Sequence, residues 1–151
     1  MKRRAAPNRP DLSDETGSTL LLTIFYGVLA LVLVLLVVAA TSLYLERKRL
    51  FTLADGAALA GAEAFELSSV TVTPDGPRPV LRTSVVAETV GDYLAVAPHS
   101  FENLAVERAD TVDGRSATVQ LSADWRPPIV SLLVPEGIRI DVTAVARSVF
   151  S

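Results

Sequence analysis

The sequence predicts an α+β protein: a long N-terminal transmembrane helix continuing into a further helical stretch, packed on a small antiparallel sheet with one more helix. Three observations predict it. Residues 16–45 hold no charged side chain between Glu15 and Glu46. Residues 46–67 lack proline, are rich in alanine, and repeat Leu50, Leu53, Ala57, Ala60, Ala64 and Leu67 at spacings of three and four, the stripe of an amphipathic helix. Two late stretches, 116–125 and 138–147, alternate apolar and polar residues, the period of a half-buried strand.

At about 1.5 Å per residue, residues 16–45 are long enough to cross a hydrocarbon core of roughly 30 Å with some tilt. Leu20, Leu21, Leu22, Ile24, Phe25, Val28, Leu29 and the unbroken run 31–38 are apolar; at about −0.4 kcal/mol each, insertion gains on the order of 6 kcal/mol. A core helix rarely stays apolar on every face, and a signal-peptide core is about 7–15 residues long, so the run reads as an uncleaved anchor. The alternative is cleavage at the small-residue site Val38-Ala39-Ala40, releasing a secreted domain.

Residues 1–15 are polar, proline-containing and without periodicity, and read as a disordered tail. Lys2, Arg3, Arg4 and Arg9 precede the span and Arg47, Lys48 and Arg49 follow it, a difference that slightly favours a cytoplasmic N-terminus. Beyond residue 50 there are seven arginines, no lysine and thirteen carboxylates, a balance a translocated domain can carry. The expected organisation is a cytoplasmic tail over 1–15, the span over 16–45, an extracytoplasmic helix over 46–67, and a small α+β domain over 68–151. That remainder suffices for one small core.

Within 46–67, Ala54, Ala57, Ala58 and Gly61 form a surface of small residues on which a second backbone can approach closely, with Asp55 beside it. The competing use of the same face is packing on the chain's own sheet. Next, Val70-Thr71-Val72-Thr73 reads as a short strand entering a Pro74-Asp75-Gly76-Pro77 turn. Leu81, Val85, Val86, Val90, Tyr93 and Leu94 fall at near-helical spacing between Pro79 and Pro98 and predict the second helix. Residues 104–110 are the natural partner of strand 116–125, joined by Val112-Asp113-Gly114-Arg115, whose Asp-Gly suits a tight hairpin with positive φ at both central residues. Residues 129–134 form a short apolar run after Pro127-Pro128. The apolar faces of strands 116–125 and 138–147 need a cover, which only the two helices supply.

Composition also narrows the chemistry. An acidic soluble part without lysine does not suit a phosphate backbone, so nucleic acid is not an expected partner. Without cysteine there are no disulfides, thiolate metal sites or cysteine nucleophiles. His99 is the single histidine and reads as an exposed loop residue. Glu63 with Glu66 and Asp110 with Asp113 read as solvated charge rather than metal ligands. With no phosphate loop and no nucleophile elbow, the reading is a non-enzymatic protein with no catalytic residues, cofactor or metal.

Asp14-Glu15-Thr16-Gly17-Ser18 before the span, Arg47-Lys48-Arg49-Leu50 after it, and Leu53-Ala54-Asp55-Gly56-Ala57-Ala58-Leu59-Ala60-Gly61-Ala62 together resemble the TadE/TadG-like family of the tight-adherence (Flp) pilus system. The resemblance is good over 14–67 and looser over the late strands. It implies a single-pass protein of the bacterial cytoplasmic membrane, N-terminus inside, with a pilin-like long helix and a small extracytoplasmic domain assisting pilus assembly or secretion. It also marks Gly17 as a peptidase-processing site, although cleavage there would put Leu22 at the fifth mature position, where prepilins and TadE-type pseudopilins commonly have glutamate. Ala40 stands where TadG-like relatives often carry an aspartate near the outer end of the span.

The functional reading is therefore a TadG-like or minor-pseudopilin-like assembly protein, in contact with membrane lipid and with other pilus-assembly or pilin-like membrane proteins. It would form a homo- or hetero-oligomer through its long helix, with Ala54, Asp55, Ala57, Ala58 and Gly61 as the packing residues. The rival is a membrane-tethered binding or sensing domain, with Trp125 as the aromatic anchor of an exposed pocket.

Overall fold

The computed structural model describes residues 13–64, 71–73, 76–78, 80–126 and 137–147. The chain divides into two compact units, Met1–Val38 and Ala39–Ser151. Helix α1, Ser13–Glu63, contributes to both. The expected tail over 1–15 thus loses its last three residues to the helix.

In the first unit the large apolar side chains from Leu20 to Val38 are between 42% and 71% exposed, except Leu35, which is half-buried. This is the one helix among the described residues long and apolar enough to cross a membrane. Thr23 donates its hydroxyl to the Thr19 carbonyl at 2.8 Å, so this polar group is satisfied within the helix.

The second unit is α+β. After α1 come a ribbon of β1 (Thr71–Thr73) and β2 (Gly76–Arg78), helix α2 (Thr83–Val96), and strands β3 (Glu102–Asp110), β4 (Ser116–Trp125) and β5 (Ile138–Arg147). The three long strands form an antiparallel sheet in the order β3-β4-β5. β4 and β5 pair without interruption from Ser116↔Arg147 to Trp125↔Ile138, whereas β3 meets β4 through two register shifts. Asn103, near the first shift, has φ of 50°, a left-handed conformation that asparagine tolerates better than most residues.

The core lies where the alternation places it. Ala117, Val119, Leu121, Ala123 and Trp125 of β4 and Ile140, Val142 and Ala144 of β5 are buried together with Leu50, Leu53, Ala54, Ala57, Ala58 and Ala62 of α1 and Val86 and Val90 of α2. The two helices cover the two strands, as the pattern requires. The alanines of α1 let its backbone lie close to the sheet. Gly61 is one close approach: a Cβ there would sit 3.2 Å from Val86 Cγ1 and 3.3 Å from Ala117 Cβ.

Four boundaries differ from expectation. Helix α1 stops at Glu63, with Ala64 already non-helical, so the extension is shorter than 46–67; Glu66, Leu67 and the run 129–134 lie outside the described residues. Ser42 and Leu43, counted within the span, belong to the second unit: Trp125 Nε1 donates to Ser42 Oγ at 3.4 Å and Leu43 packs on the core. Gly76 and Pro77, expected in a turn, are paired residues of β2, a short edge ribbon where the missing proline N–H can face solvent. The hairpin between β3 and β4 is a five-residue connection in which Gly114 takes φ of 68° and Asp113 does not go positive. The Asp113 carboxylate instead accepts from the backbone N–H of Arg115 and Ser116 at 2.9 and 2.7 Å and from Ser116 Oγ at 3.0 Å. Those bonds favour its charged form and lower its pKa.

Candidate functional site

The helix α1 of the second unit has two faces of different chemistry. Ala54, Ala57 and Ala58 are fully buried and Gly61 is buried against α2 and β4. The small-residue surface proposed for contact with other proteins is therefore occupied by the chain's own sheet. The physical reason is economical: two apolar strand faces without another cover take the smoothest helix face available. Asp55 is exposed and lies on the opposite side.

That opposite side carries an exposed stripe that sequence spacing missed. Tyr44, Lys48, Phe51, Asp55 and Leu59 succeed one another by three or four residues and are all exposed, Tyr44 at 65%, Phe51 at 47% and Leu59 at 53%. Three large side chains, Tyr44, Phe51 and Leu59, are thus exposed along one side of α1, with Lys48 and Asp55 between them. Arg47 lies beside it and Arg49 pairs with Glu46 at 3.6 Å. The signal was present in the sequence as Leu59, the exception on the polar side, and as Tyr44 and Phe51, which the apolar stripe did not use.

A polar network occupies the face of the sheet away from the core. Arg139 of β5 donates from Nη2 to Glu107 Oε1 at 3.1 Å and to Ser122 Oγ at 2.6 Å, and from Nη1 to Asp124 Oδ1 at 3.3 Å. Ser122 donates to Glu107 Oε1 at 2.5 Å, and Asn103 Nδ2 donates to Asp124 Oδ2 at 2.7 Å. Ser122 is only 2% exposed despite its outward position, because the longer side chains close over it. The Ser122 hydroxyl, then Arg139, hold the Glu107 carboxyl below its ordinary range; Asn103, then Arg139, do the same for Asp124. The hydrogen bond to Glu107 raises the Arg139 guanidinium in turn. Three strands are thereby cross-linked by side chains, which is a structural arrangement with every charge partnered.

Trp125 is 7% exposed and sits in the core, so it is no anchor for an exposed pocket. His99 is exposed and stacks on Phe101, ring centroids 6.2 Å apart. Asp110 receives Arg108 Nε at 2.6 Å, and no group of three or more potential metal ligands gathers among the described residues.

Gly17 lies within α1, at the start of the stretch that comparison singles out. Residues 17–64 match the family model described as Putative Flp pilus-assembly TadE/G-like. The match to this Tad model covers 48 of 151 residues, all of them in or directly after α1. It takes in the apolar run, the alanine face and the exposed stripe alike, and stops where the helix stops. No curated protein and no solved structure matches the chain.

Proposed function

We propose that the chain is a membrane-anchored, non-enzymatic component of Flp pilus assembly, placed in the bacterial cytoplasmic membrane with its sheet domain on the extracytoplasmic side. The observation that carries this reading is the Tad match over residues 17–64, which coincides with an apolar helix running directly into a packed one. In this reading α1 is the assembly element and the sheet domain is the body that holds its outer portion rigid. Lateral contacts with pilus-machinery proteins, or with a second copy, use Tyr44, Phe51, Asp55 and Leu59, since Ala54, Ala57, Ala58 and Gly61 are committed to the core. The sheet domain at the helix's outer portion favours a TadG-like role over that of a filament subunit. Gly17 is kept as the processing point; intact mass of the membrane form, with or without residues 1–17, decides that detail.

The test is co-purification from membranes. Phe51→Glu together with Leu59→Glu should reduce recovery of pilus-machinery proteins while insertion and folding persist, because both side chains are exposed. Gly61→Leu is the control of opposite kind: it should unfold the domain, since even a Cβ is crowded there. Unchanged recovery with the double variant removes the exposed stripe from the reading.

A further inference from the structure

The second unit holds a cleft of about 440 Å³ between α1 and the first residues of β5, lined by Ala40, Leu43, Tyr44 and Arg47 on one wall and Arg139, Ile140 and Asp141 on the other. Its size is that of a small-molecule site. Most of its lining surface is apolar, and its two unpaired charges are of opposite sign. Arg47 and Asp141 have no ion-pair partner among the described residues, whereas Arg139 is engaged by Glu107 and Asp124.

The cleft's place along α1 gives the second argument. Ser18 to Val38 is a stretch of roughly 31 Å at 1.5 Å per residue, which fills a hydrocarbon core. Ala40 to Arg47 then span the next 10 Å or so, which takes in a headgroup layer about 5–8 Å deep. Tyr44 is the kind of amphipathic ring found at that level, and arginine there reaches lipid phosphate. An apolar floor at Ala40, Leu43 and Ile140, topped by a cation and an anion without ion-pair partners among the described residues, complements a headgroup carrying both a phosphate and an ammonium.

We infer that this cleft binds a zwitterionic aminophospholipid of the phosphatidylethanolamine type, with Arg47 on the phosphate, Asp141 on the ammonium and the upper acyl chain along Ala40, Leu43 and Ile140. The lipid is then a wedge between helix and sheet. The inference rests on membrane anchorage and is independent of the pilus role and of which way the chain is inserted.

The test uses the full chain reconstituted into vesicles of equimolar phosphatidylethanolamine and phosphatidylglycerol, re-extracted and weighed with its retained lipid by native mass spectrometry. The wild type should keep phosphatidylethanolamine over phosphatidylglycerol by about fivefold, the size of one exposed ion pair. Asp141→Asn should erase the preference while phospholipid is still retained, and Arg47→Gln should lower retention of both. Phosphatidylcholine in place of phosphatidylethanolamine should bind less well, because its quaternary ammonium donates no hydrogen bond to Asp141. Equal retention of both lipids by the wild type, or a preference that survives Asp141→Asn, overturns the inference. Alkaline extraction of each variant tests anchorage separately, and the emission of Trp125, the chain's one tryptophan, reports that the domain is folded.

Discussion

The two stretches of α1 make opposite use of the same secondary structure. In the first unit, leucine, valine and phenylalanine are exposed around the helix, nearly all of them by about half or more. In the second, alanines on one face are fully buried and a sparse apolar stripe remains on the other. Large apolar residues serve where the surrounding medium is lipid, which is fluid and accepts any shape. Small ones serve where a sheet must come close, because a packed interior admits little adjustment. Where the helix lies closest to its own domain, at Ala54, Ala57, Ala58 and Gly61, the residues are small, while Leu50 and Leu53 fill the core beside them.

A matched pair of substitutions tests that contrast most strongly. Leu50→Ala should destabilise the sheet domain by about 2–5 kcal/mol, since Leu50 is fully buried in its core. Leu33→Ala, at a residue 55% exposed, should leave domain stability unchanged and weaken membrane insertion by about 0.5 kcal/mol. Chemical denaturation followed through Trp125 reads the first and partitioning after translation reads the second. Equal effects on the domain would dissolve the distinction between the two stretches.

Acid provides a smaller and sharper comparison, because the Glu107, Asp124 and Arg139 network belongs to the second unit alone. Folded Glu107 and Asp124 have lowered pKa values, so the stability they contribute is fully present above the ordinary carboxylate range and is lost as pH falls through their folded values. Domain stability should decline as pH is lowered through and below that range while insertion does not respond. Arg139→Gln should flatten the decline, measured as the denaturation midpoint against pH; an unaltered slope would show that the network adds nothing to folding.

Much of this architecture was legible in residue order. Strand β4 falls on the alternating residues 116–125 and the second helix on the Val86 and Val90 spacing, because burial on one side enforces period two in a strand and about 3.6 in a helix. What the order did not reveal is how β3 pairs: its register shifts twice, and no local pattern announces a residue such as Asn103 turning left-handed. The choice between outward and inward use of Ala54, Ala57, Ala58 and Gly61 was likewise open, since small residues suit any close neighbour. It took the sheet's position to decide it. Asp-Gly at 113–114 misled for a related reason: the Asp113 side chain found three donors nearby, and those bonds set the loop.

The bond from Trp125 to Ser42 has a practical corollary for anyone wishing to free the sheet domain from the bilayer. The charge pattern suggests cutting at Glu46, where the greasy run ends, yet a protein beginning there would lack Leu43 and leave the indole N–H without its hydroxyl acceptor. A soluble version should start at Ala39 and carry polar replacements only at Tyr44 and Leu45, which face outward.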